Sequence, residues 1–439
     1  MQMNGRKQRM ETTSKLRKNL FTLIVITISG AMIYGLPYFR LYFYDAYLST
    51  YNLTNTQMGT FGSMFGIFGM ISYLFGGVVA DIVSPRKLMS VSLILTGIGG
   101  FLHLLHPNYT MLLAIYAMWG FTSLFAFWPS LLKSLRGIAN ENEQSKAYGF
   151  MDGGRGIVYA IDGALIVAIF AYFSKATGEA AGLNGVIVYY SVIAIVLGIL
   201  VFKLLKDDKT AFEGEKAAKQ EKFSLAQLVE VVKMPALWIL SAILCCTYVM
   251  NIAFYYFTPY ATSRFGMAAA AGAIVTIAAQ YVRPVAAFGG GILADKIGRS
   301  KVMYVTFSLM AICTLLMVVM SNMSSAVFIA LCILIYLGMY GGYSLVFSMM
   351  EEGGIPTRVA GTAIGLVCTL GYLPEVIVPF CSGKILDKFG DGGYPYMFIA
   401  ITVIMVIGIV MLTIWDRYLK KIRSSKDNTV ENEALSEVK

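Results

Sequence analysis

The stretch GGVVADIVSPRK at residues 76–87 decides the fold, because a closely similar stretch, GGGILADKIGRSK, recurs at residues 289–301. In both places an apolar segment runs into Gly-x-x-x-Asp and then into a short basic cluster. The two copies are separated by 214 residues, so that Gly77 corresponds to Gly291 and Asp81 to Asp295. The chain is therefore predicted to consist of two copies of one unit, as in many membrane proteins built from internal repeats.

The composition predicts that both units lie in a membrane. Hydrophobic residues make up 57% of the chain and charged residues 14%, against roughly 45–50% and about 25% in a typical soluble domain. A helix that spans a bilayer needs about 20 mostly apolar residues. Twelve such stretches, six in each half, are centred near residues 32, 68, 97, 122, 160, 195, 247, 280, 311, 337, 372 and 404. The predicted fold is an all-α integral membrane protein with twelve transmembrane helices in two pseudo-symmetric six-helix bundles.

The same pattern predicts the domain boundaries. Residues 1–205 form the first bundle and residues 235–416 the second. Between them, residues 206–234 are a charged cytoplasmic linker that ends in the amphipathic stretch FSLAQLVEVV, which is expected to lie on the membrane surface. Residues 417–439 are a charged cytoplasmic tail, expected to lack regular structure.

Basic residues give the orientation in the membrane. With the N-terminus in the cytoplasm, 28 of the 35 Lys and Arg residues fall on the cytoplasmic side. Only four fall on the opposite side: Lys175, Arg264, Lys384 and Lys388. This asymmetry places both termini in the cytoplasm and predicts a multi-pass protein of a bacterial inner membrane. The net charge of +10 then reflects topology and contact with lipid headgroups, so no nucleic-acid partner is expected.

Charged residues inside the predicted spans are the strongest candidates for function, because each is costly in hydrocarbon. Six such residues occur: Arg40, Asp152, Arg155, Asp162, Arg283 and Glu375. Asp152, Arg155 and Asp162 are spaced so that they share one helix face. For each charge a purely structural ion pair is the alternative, and Asp152 and Arg155 could simply neutralise one another.

Arg40 follows Pro37 in YGLPYFRLYF at residues 34–43. A proline inside a helix removes one backbone hydrogen bond and bends the helix, so this segment is predicted to bend and to expose backbone groups. Arg40 is then a candidate ligand for a substrate, with a snorkelling arginine of the outer leaflet as the alternative. The two histidines, His103 and His106, are predicted to be interfacial polar residues at the outer end of the third span.

The repeated motif, the twelve segments and the long central loop resemble the major facilitator superfamily over essentially the whole chain. The resemblance implies that the glycine permits close helix approach, and that Asp and Arg contact a neighbouring helix terminus as an inner gate. The implied gate residues are Gly77, Asp81, Arg86, Gly291, Asp295 and Arg299. The first copy departs from the pattern, since Ile82 and Ser84 stand where it has a basic residue and a glycine.

Four stretches are more specifically similar to the organophosphate:phosphate antiporter branch: YGLPYFRLYF, the Ser84-Pro85-Arg86 loop, FWPSLLKSL (127–135) and YGFMDGGRG (148–156). That resemblance implies an anion clamp in which Arg40 is the arginine of helix one and Arg155 replaces a histidine of helix five. Helix seven departs from the branch, because Asn251 stands near the position of its second arginine while Arg283 adds a charge in helix eight. The implied substrate is a phosphate ester, sulfonate or carboxylate, with further contacts from Arg283, Tyr34, Tyr38, Trp128, Asn251 and Tyr255.

The buried acids suggest how transport could be coupled to protons. Asp162 shifted by the repeat offset of 214 falls at residue 376, beside Glu375, so the two acids occupy nearly equivalent positions in the two halves. One of the two, Asp162 or Glu375, with Asp152 as a third candidate, is predicted to exchange protons during the cycle. Structural pairing with Arg155 or Arg283 is the alternative.

The predicted activity is secondary active transport by alternating access, as an antiporter or a proton-coupled symporter that works as a monomer and exchanges its anion with protons or a counter-anion. Two alternatives stay open: a proton-coupled symporter or exporter of a neutral sugar or drug-like compound, and an anion sensor that does not transport. No enzyme, cofactor or metal site is expected, because the sequence contains no Ser/His/Asp set, metal-ligand spacing or phosphate-binding loop.

Overall fold

The computed structural model describes residues 14–140, 143–205, 225–320, 322–356 and 359–437, and within these ranges the regular structure is helical, with no strand. The helices of the first half are α1 (Lys15–Lys18), α2 (Leu20–Met32), α3 (Gly35–Tyr42), α4 (Tyr44–Tyr51), α5 (Asn55–Ile82), α6 (Pro85–His103), α7 (Tyr109–Gly120), α8 (Trp128–Gly137), α9 (Gln144–Thr177) and α10 (Glu179–Leu204). Those of the second half are α11 (Leu225–Val232), α12 (Pro235–Ala253), α13 (Phe257–Phe265), α14 (Ala269–Ile297), α15 (Arg299–Val319), α16 (Ser325–Glu352), α17 (Ala360–Gly371), α18 (Pro374–Phe389) and α19 (Gly393–Glu437).

These helices confirm the prediction of an all-α membrane protein, while the number of twelve spans stays a prediction. Among the described residues, eight helices are long and apolar enough to cross a membrane, or up to nine if the bent pair α2 and α3 is one span. Every predicted centre except residue 372 lies in helical structure, and residue 372 lies in the short break between α17 and α18. Large apolar side chains such as Ile157 and Ile161 of α9 are exposed, as expected where a helix faces lipid.

The first predicted span bends where its proline requires it. Helices α2 and α3 meet at 46°, and the break falls at Ile33 and Tyr34, just before α3 begins at Gly35. Pro37 cannot donate to the carbonyl of residue 33, and its ring would clash with that carbonyl in a continuous helix. The bend predicted from the sequence is therefore present, one turn before the proline itself.

A second irregularity separates α7 from α8. Residues Phe121–Phe127 form a π-helical turn, and Trp128 and Pro129 follow it directly at the start of α8. Pro129 has no N–H to continue an α-helical ladder, so wider hydrogen bonding before it is physically reasonable. Such π turns are frequent at functional sites, and Trp128 directly follows this one.

The chain groups into two compact units, one with residues Met1–Tyr51 and Phe75–Gln220, the other with residues Asn52–Leu74 and Glu221–Lys439. In the first unit, α6 packs on α10 through small residues, and Ser90 Oγ donates to the carbonyl of Gly198 at 2.8 Å. In the second unit, α14 and α16 approach closely at Gly290, where an added Cβ would lie 2.9 Å from the carbonyl of Gly341. Small residues of this kind are what allow apolar helices to pack in a membrane. The boundaries at 205, 234 and 416 stay predictions.

The predicted linker and tail are only partly described. Residues 206–224 lie outside the described residues, whereas the end of the amphipathic stretch forms helix α11. The expectation that the tail lacks regular structure is wrong for its backbone, because α19 continues through Trp415 to Glu437. The tail contains four Lys and three Glu, which are strong helix formers.

Candidate functional site

Arg155 of α9 lies in a pocket of aromatic rings in the first unit. Its Nε donates to the carbonyl of Gly30 at 3.0 Å, and its Nη2 donates to the hydroxyl of Tyr159 at 3.0 Å. The guanidinium carbon lies 4.7 Å from the ring centre of Trp128 and 5.9 Å from that of Tyr34. Two of the predicted contact residues, Tyr34 and Trp128, are thus brought to Arg155. Each ring face attracts the cation.

The carboxylate nearest to Arg155 is loosely held. Asp152 Oδ1 lies 3.8 Å from Arg155 Nη1, one helical turn away, and the Asp152 side chain is 68% exposed whereas that of Arg155 is 12% exposed. An exposed pair at this distance is a weak interaction, typically worth about 0–1 kcal/mol. The predicted neutralisation of Arg155 by Asp152 is therefore present only as a long contact.

Arg40 of α3 lies in different surroundings. The residue is 3% exposed, which argues against a snorkelling arginine, and its guanidinium carbon lies 4.9 Å from the ring centre of Tyr116 in α7. Its Nε and Nη1 have no hydrogen-bond partner in the described part of the chain. Tyr38, two residues before Arg40, is half-buried with its ring 6.4 Å from that of Tyr34. Arg40 and Arg155 thus belong to the same unit but have different neighbours.

His103 corrects a prediction. It was expected at the membrane interface, but it is fully buried at the end of α6. Its ring is stacked on Trp119 with centroids 5.5 Å apart, and its Nε2 is 2.8 Å from the hydroxyl of Tyr47. The histidine is therefore part of a buried aromatic cluster in the first unit and does not face the lipid headgroups.

Asp162 is bound by tyrosines. The residue is 7% exposed, and its two carboxylate oxygens accept from Tyr190 at 2.6 Å and from Tyr189 at 2.9 Å. Both tyrosines belong to α10, so Asp162 points to α10 whereas Arg155 bonds to α2. Within the described residues no arginine pairs with Asp162, which removes the alternative of a structural pair with Arg155.

Glu375 has a similar environment in the second unit. It is 8% exposed at the start of α18, and its Oε2 accepts from the hydroxyl of Tyr248 in α12 at 2.6 Å. The ring of Tyr248 lies 4.5 Å from that of Tyr372. An added Cβ at Gly66 would meet the Glu375 side chain at 2.8 Å, so α5 also packs directly on this carboxylate.

The other predicted ligands of the second unit each have a described contact of their own. Arg283, half-buried in α14 just before Pro284, lies with its guanidinium carbon 5.4 Å from the ring centre of Tyr340. Asn251 donates to the carbonyl of Thr247 in its own helix at 3.3 Å. Tyr255 packs against the ring of its neighbour Phe254 at 4.1 Å. The described contacts do not gather these three residues around one point.

In the second copy of the repeated motif, the arginine is anchored to a helix end. Arg299 Nη1 donates to the carbonyl of Ser348 and to Glu352 Oε1, both at 2.9 Å, near the C-terminus of α16. A cation at a helix C-terminus is stabilised by the exposed carbonyls and the helix dipole. Asp295 is exposed. The expectation of close packing at Gly291 is wrong, because an added Cβ there would meet nothing within 4 Å, and the close approach is at the preceding glycine.

In the first copy, too, an arginine bonds to the end of another helix, but the residue before the helix differs. In the second copy, Gly298 immediately precedes α15 with a φ of +96°, a conformation that favours glycine. The corresponding Ser84 instead caps α6, with its hydroxyl accepting from the Lys87 N–H at 3.4 Å. Arg86 Nε donates to the carbonyl of Phe202 near the end of α10 at 2.6 Å. The side chains of Gly77 and Asp81 lie outside the part of the chain whose side chains are described.

Sequence reasoning missed the tyrosines. Tyr159, Tyr189, Tyr190 and Tyr248 provide the hydroxyls that hold Arg155, Asp162 and Glu375. The only signal in the sequence is that these tyrosines lie inside apolar spans, where a phenolic hydroxyl needs a partner. With 27 tyrosines in the chain, that signal does not single them out.

Charged residues buried among membrane-spanning helices commonly mark a pathway for a substrate or an ion. The sequence matches the Major Facilitator Superfamily over residues 20–379, and the chain belongs to that superfamily.

Relatives and solved structures agree with this assignment. Inner membrane protein YqcE of Escherichia coli (strain K12) is 28% identical over 367 residues, covering 81% of this chain and 85% of the relative. Inner membrane protein YihN of the same strain is 27% identical over 391 residues, covering 88% and 92%. The fold is similar to that of a bacterial homolog of the human lysosomal transporter Spinster, inward-facing and occupied, with a TM-score of 0.74 at 14% identity, covering 92% of this chain and 98% of that one. It is also similar to the nucleoside transporter NupG, with a TM-score of 0.68 at 13% identity, covering 91% and 98%. The chain is a multi-pass inner-membrane protein with the fold of the superfamily's transporters.

Proposed function

We propose that the chain is a secondary active transporter that moves a small organic anion across the inner membrane by alternating access, as an antiporter or a proton-coupled symporter. The anion is a phosphate ester, a sulfonate or a carboxylate. One observation carries the proposal: in the first unit the buried arginines and the buried carboxylate have separate partners. Arg40 and Arg155 lie among aromatic rings, whereas Asp162 is held by tyrosine hydroxyls.

The arginines suit an anionic ligand because their charge is not compensated by a close carboxylate. A buried charge without a partner is costly, so an anion that enters is stabilised by the charge that the protein already holds there. The Nε and Nη2 atoms of Arg155 donate to protein acceptors, whereas Nη1 has only the long contact with the exposed Asp152. A substrate oxygen that reaches Nη1 makes a charge-assisted hydrogen bond, and it displaces only a long and weak pair.

The carboxylates suit proton exchange. A tyrosine hydroxyl donates to an ionised carboxylate and can accept from a protonated one, so the bonds from Tyr189 and Tyr190 to Asp162 are compatible with both states. Glu375 has the same kind of partner in Tyr248. Asp162 and Glu375 are therefore the proton-coupling candidates in this proposal, and Asp152, which is exposed beside Arg155, is a third and weaker one.

The similarity of YGLPYFRLYF and YGFMDGGRG to the organophosphate:phosphate antiporter branch supports an organic anion. The departure in helix seven limits how far that similarity extends, because Asn251 offers an amide where the branch has an arginine. Arg283 and Tyr255 are further proposed contacts. The contacts of Arg86 and Arg299 with helix ends support a role for these loops as a cytoplasmic gate.

A neutral ring-shaped substrate is the second candidate. Two of the donors of Arg155 already bind protein acceptors, and three aromatic rings lie within 6 Å of its guanidinium carbon. Rings of this kind can stack on a sugar or a heterocycle. In that case Arg155 organises the aromatic pocket, and the substrate needs no charge.

Counterflow in proteoliposomes tests the proposal. Vesicles loaded with glycerol 3-phosphate, a small alkyl sulfonate, a dicarboxylate, glucose or a nucleoside are assayed for uptake of the same labelled compound. We expect exchange of at least one anion and no exchange of the neutral compounds. Exchange of a neutral compound with no exchange of any anion would establish the second candidate and overturn the first.

A further inference from the structure

Arg40 lies at one end of a buried chain of aromatic and polar side chains in the first unit. Its guanidinium lies over the ring of Tyr116, whose hydroxyl donates to that of Tyr47 at 3.3 Å. The Tyr47 hydroxyl is in turn 2.8 Å from His103 Nε2. Arg40 is 3% exposed and the other three are completely buried. The chain connects helices α3, α4, α6 and α7.

The Tyr47 hydroxyl links Tyr116 to His103. It accepts from the Tyr116 hydroxyl and lies 2.8 Å from His103 Nε2. Nδ1 has no partner among the described residues. The imidazole is fixed from another side, since its ring is stacked on that of Trp119.

Arg40 has no such anchoring by hydrogen bonds. Its Nε and Nη1 are buried without a partner, and no carboxylate pairs with it in the described part of the chain. The ring of Tyr116 is therefore the group that fixes the position of the charge, through the attraction between a cation and an aromatic face. Tyr116 is fixed by Tyr47, and by an edge-to-face contact with Trp119 at 4.9 Å.

We propose that Tyr116, Tyr47 and His103 are positioning residues, which hold the Arg40 guanidinium as an uncompensated cation with unsatisfied donors ready for an anionic substrate. This inference rests on the proposed function, because the prepared donors of Arg40 need an anion to bind. A carboxylate in place of Tyr116 would neutralise the arginine and occupy its donors. An aromatic ring stabilises the charge and leaves those donors unused, so the site keeps both its position and its affinity for an anion.

The test measures how accessible Arg40 is, independently of transport. Purified full-length protein in detergent is treated with phenylglyoxal, which modifies accessible guanidinium groups, and the rate at Arg40 is followed by peptide mass spectrometry. Tyr116→Leu removes the ring, and we expect it to raise this rate roughly 3- to 30-fold, the range that corresponds to loss of a cation–π contact. Tyr116→Phe keeps the ring and loses the bond to Tyr47, so a smaller increase is expected.

Controls separate positioning from unfolding. Tyr51→Phe removes a hydroxyl from the same cluster that contacts only the backbone of His103, and it should leave the rate at Arg40 unchanged. Tyr47→Phe should raise it to the level of Tyr116→Phe. Unchanged labelling in a Tyr116→Leu protein that melts as wild type would overturn the proposal, and so would an equal increase in Tyr51→Phe.

A transport assay distinguishes failure of this inference from failure of the proposed function. In counterflow of an anion that the wild type exchanges in the panel, Tyr116→Leu should raise the half-saturation concentration with little change in maximal rate. Faster labelling of Arg40 in Tyr116→Leu without protection by any anion of the counterflow panel would retain the packing but refute the anionic substrate. Loss of transport with unchanged labelling would refute the positioning role alone.

Discussion

Replacing Arg155 with lysine keeps the positive charge but removes the planar guanidinium and its separate hydrogen-bond donors. In the wild type, two nitrogens of one guanidinium bind two acceptors, the Gly30 carbonyl and the Tyr159 hydroxyl, each at 3.0 Å. A third nitrogen is left toward the site. A lysine ammonium is a compact point charge without the fork of a guanidinium. It cannot reach both acceptors and a substrate oxygen together.

The size of the effect follows from what the lysine loses. A hydrogen bond that involves a charged group contributes ~1.5–3 kcal/mol, and Arg155→Lys should lose at least one such bond to the bound anion. This corresponds to about a 10- to 150-fold rise in the concentration needed for half-maximal transport. The maximal rate should fall less, because the charge remains.

The assay is anion counterflow in proteoliposomes over a range of substrate concentrations, with thermal unfolding of each purified protein as a check on folding. Arg136→Lys is a matched control, because Arg136 also donates to a tyrosine hydroxyl, that of Tyr148 at 3.2 Å, but in an exposed position. We expect that control to transport as wild type. A folded Arg155→Lys protein with wild-type half-saturation would refute the assignment of Arg155 as an anion ligand.

Three further predictions concern coupling, packing and pH. The double variant Asp162→Asn, Glu375→Gln should abolish proton-dependent uptake while anion counterflow survives, and uptake that still follows a pH gradient would exclude both acids as proton carriers. Gly35→Ala would place a methyl group against the tyrosine ring that binds Asp162 and should lower the melting temperature. Gly153→Ala, which meets nothing within 4 Å, should be neutral or stabilising because alanine favours helix by about 1 kcal/mol; an equal loss in both would contradict this packing argument. The hydrogen bond from Ser14, with those from the Asn140 and Leu16 N–H groups, lowers the pKa of Glu143. Its contribution to stability is therefore present above its unfolded pKa and is lost as pH falls from there through the lower folded-state pKa. In thermal melts at a series of pH values, Glu143→Gln should reduce the fall in melting temperature at acidic pH. An unchanged fall would show that these bonds do not stabilise the fold.

Much of the fold follows from patterns that the sequence displays directly. The motif repeated at an offset of 214 residues and the apolar stretches predict a duplicated helical membrane protein, and Pro37 predicts the bend between α2 and α3. These features depend on backbone chemistry and on residue spacing, which are local. The departure at Ser84 also has a local explanation, since serine is a good helix cap and stands where the other copy has a glycine with positive φ.

The site was less predictable, because it depends on which side chains meet across helices. The six intramembrane charges could be identified, but their partners could not. Asp162 bonds to tyrosines of α10 rather than to Arg155 in its own helix, and no spacing rule within α9 gives that result. The close glycine contact of α14 falls at Gly290 rather than at the motif's Gly291, because a rotation of one residue moves a side chain by about 100° around a helix.

The most direct test of an anion transporter compares two substrates that differ mainly in charge. Counterflow is measured for a labelled anion that the wild type exchanges in the panel and for its neutral analogue, as with glycerol 3-phosphate and glycerol, in vesicles that contain the wild type, Arg40→Gln or Arg155→Gln. The proposed mechanism predicts exchange of the anion by the wild type, none of the neutral analogue, and loss of anion exchange in both folded variants. Anion exchange that persists in both variants at wild-type half-saturation would contradict the central claim that these two arginines select an anion.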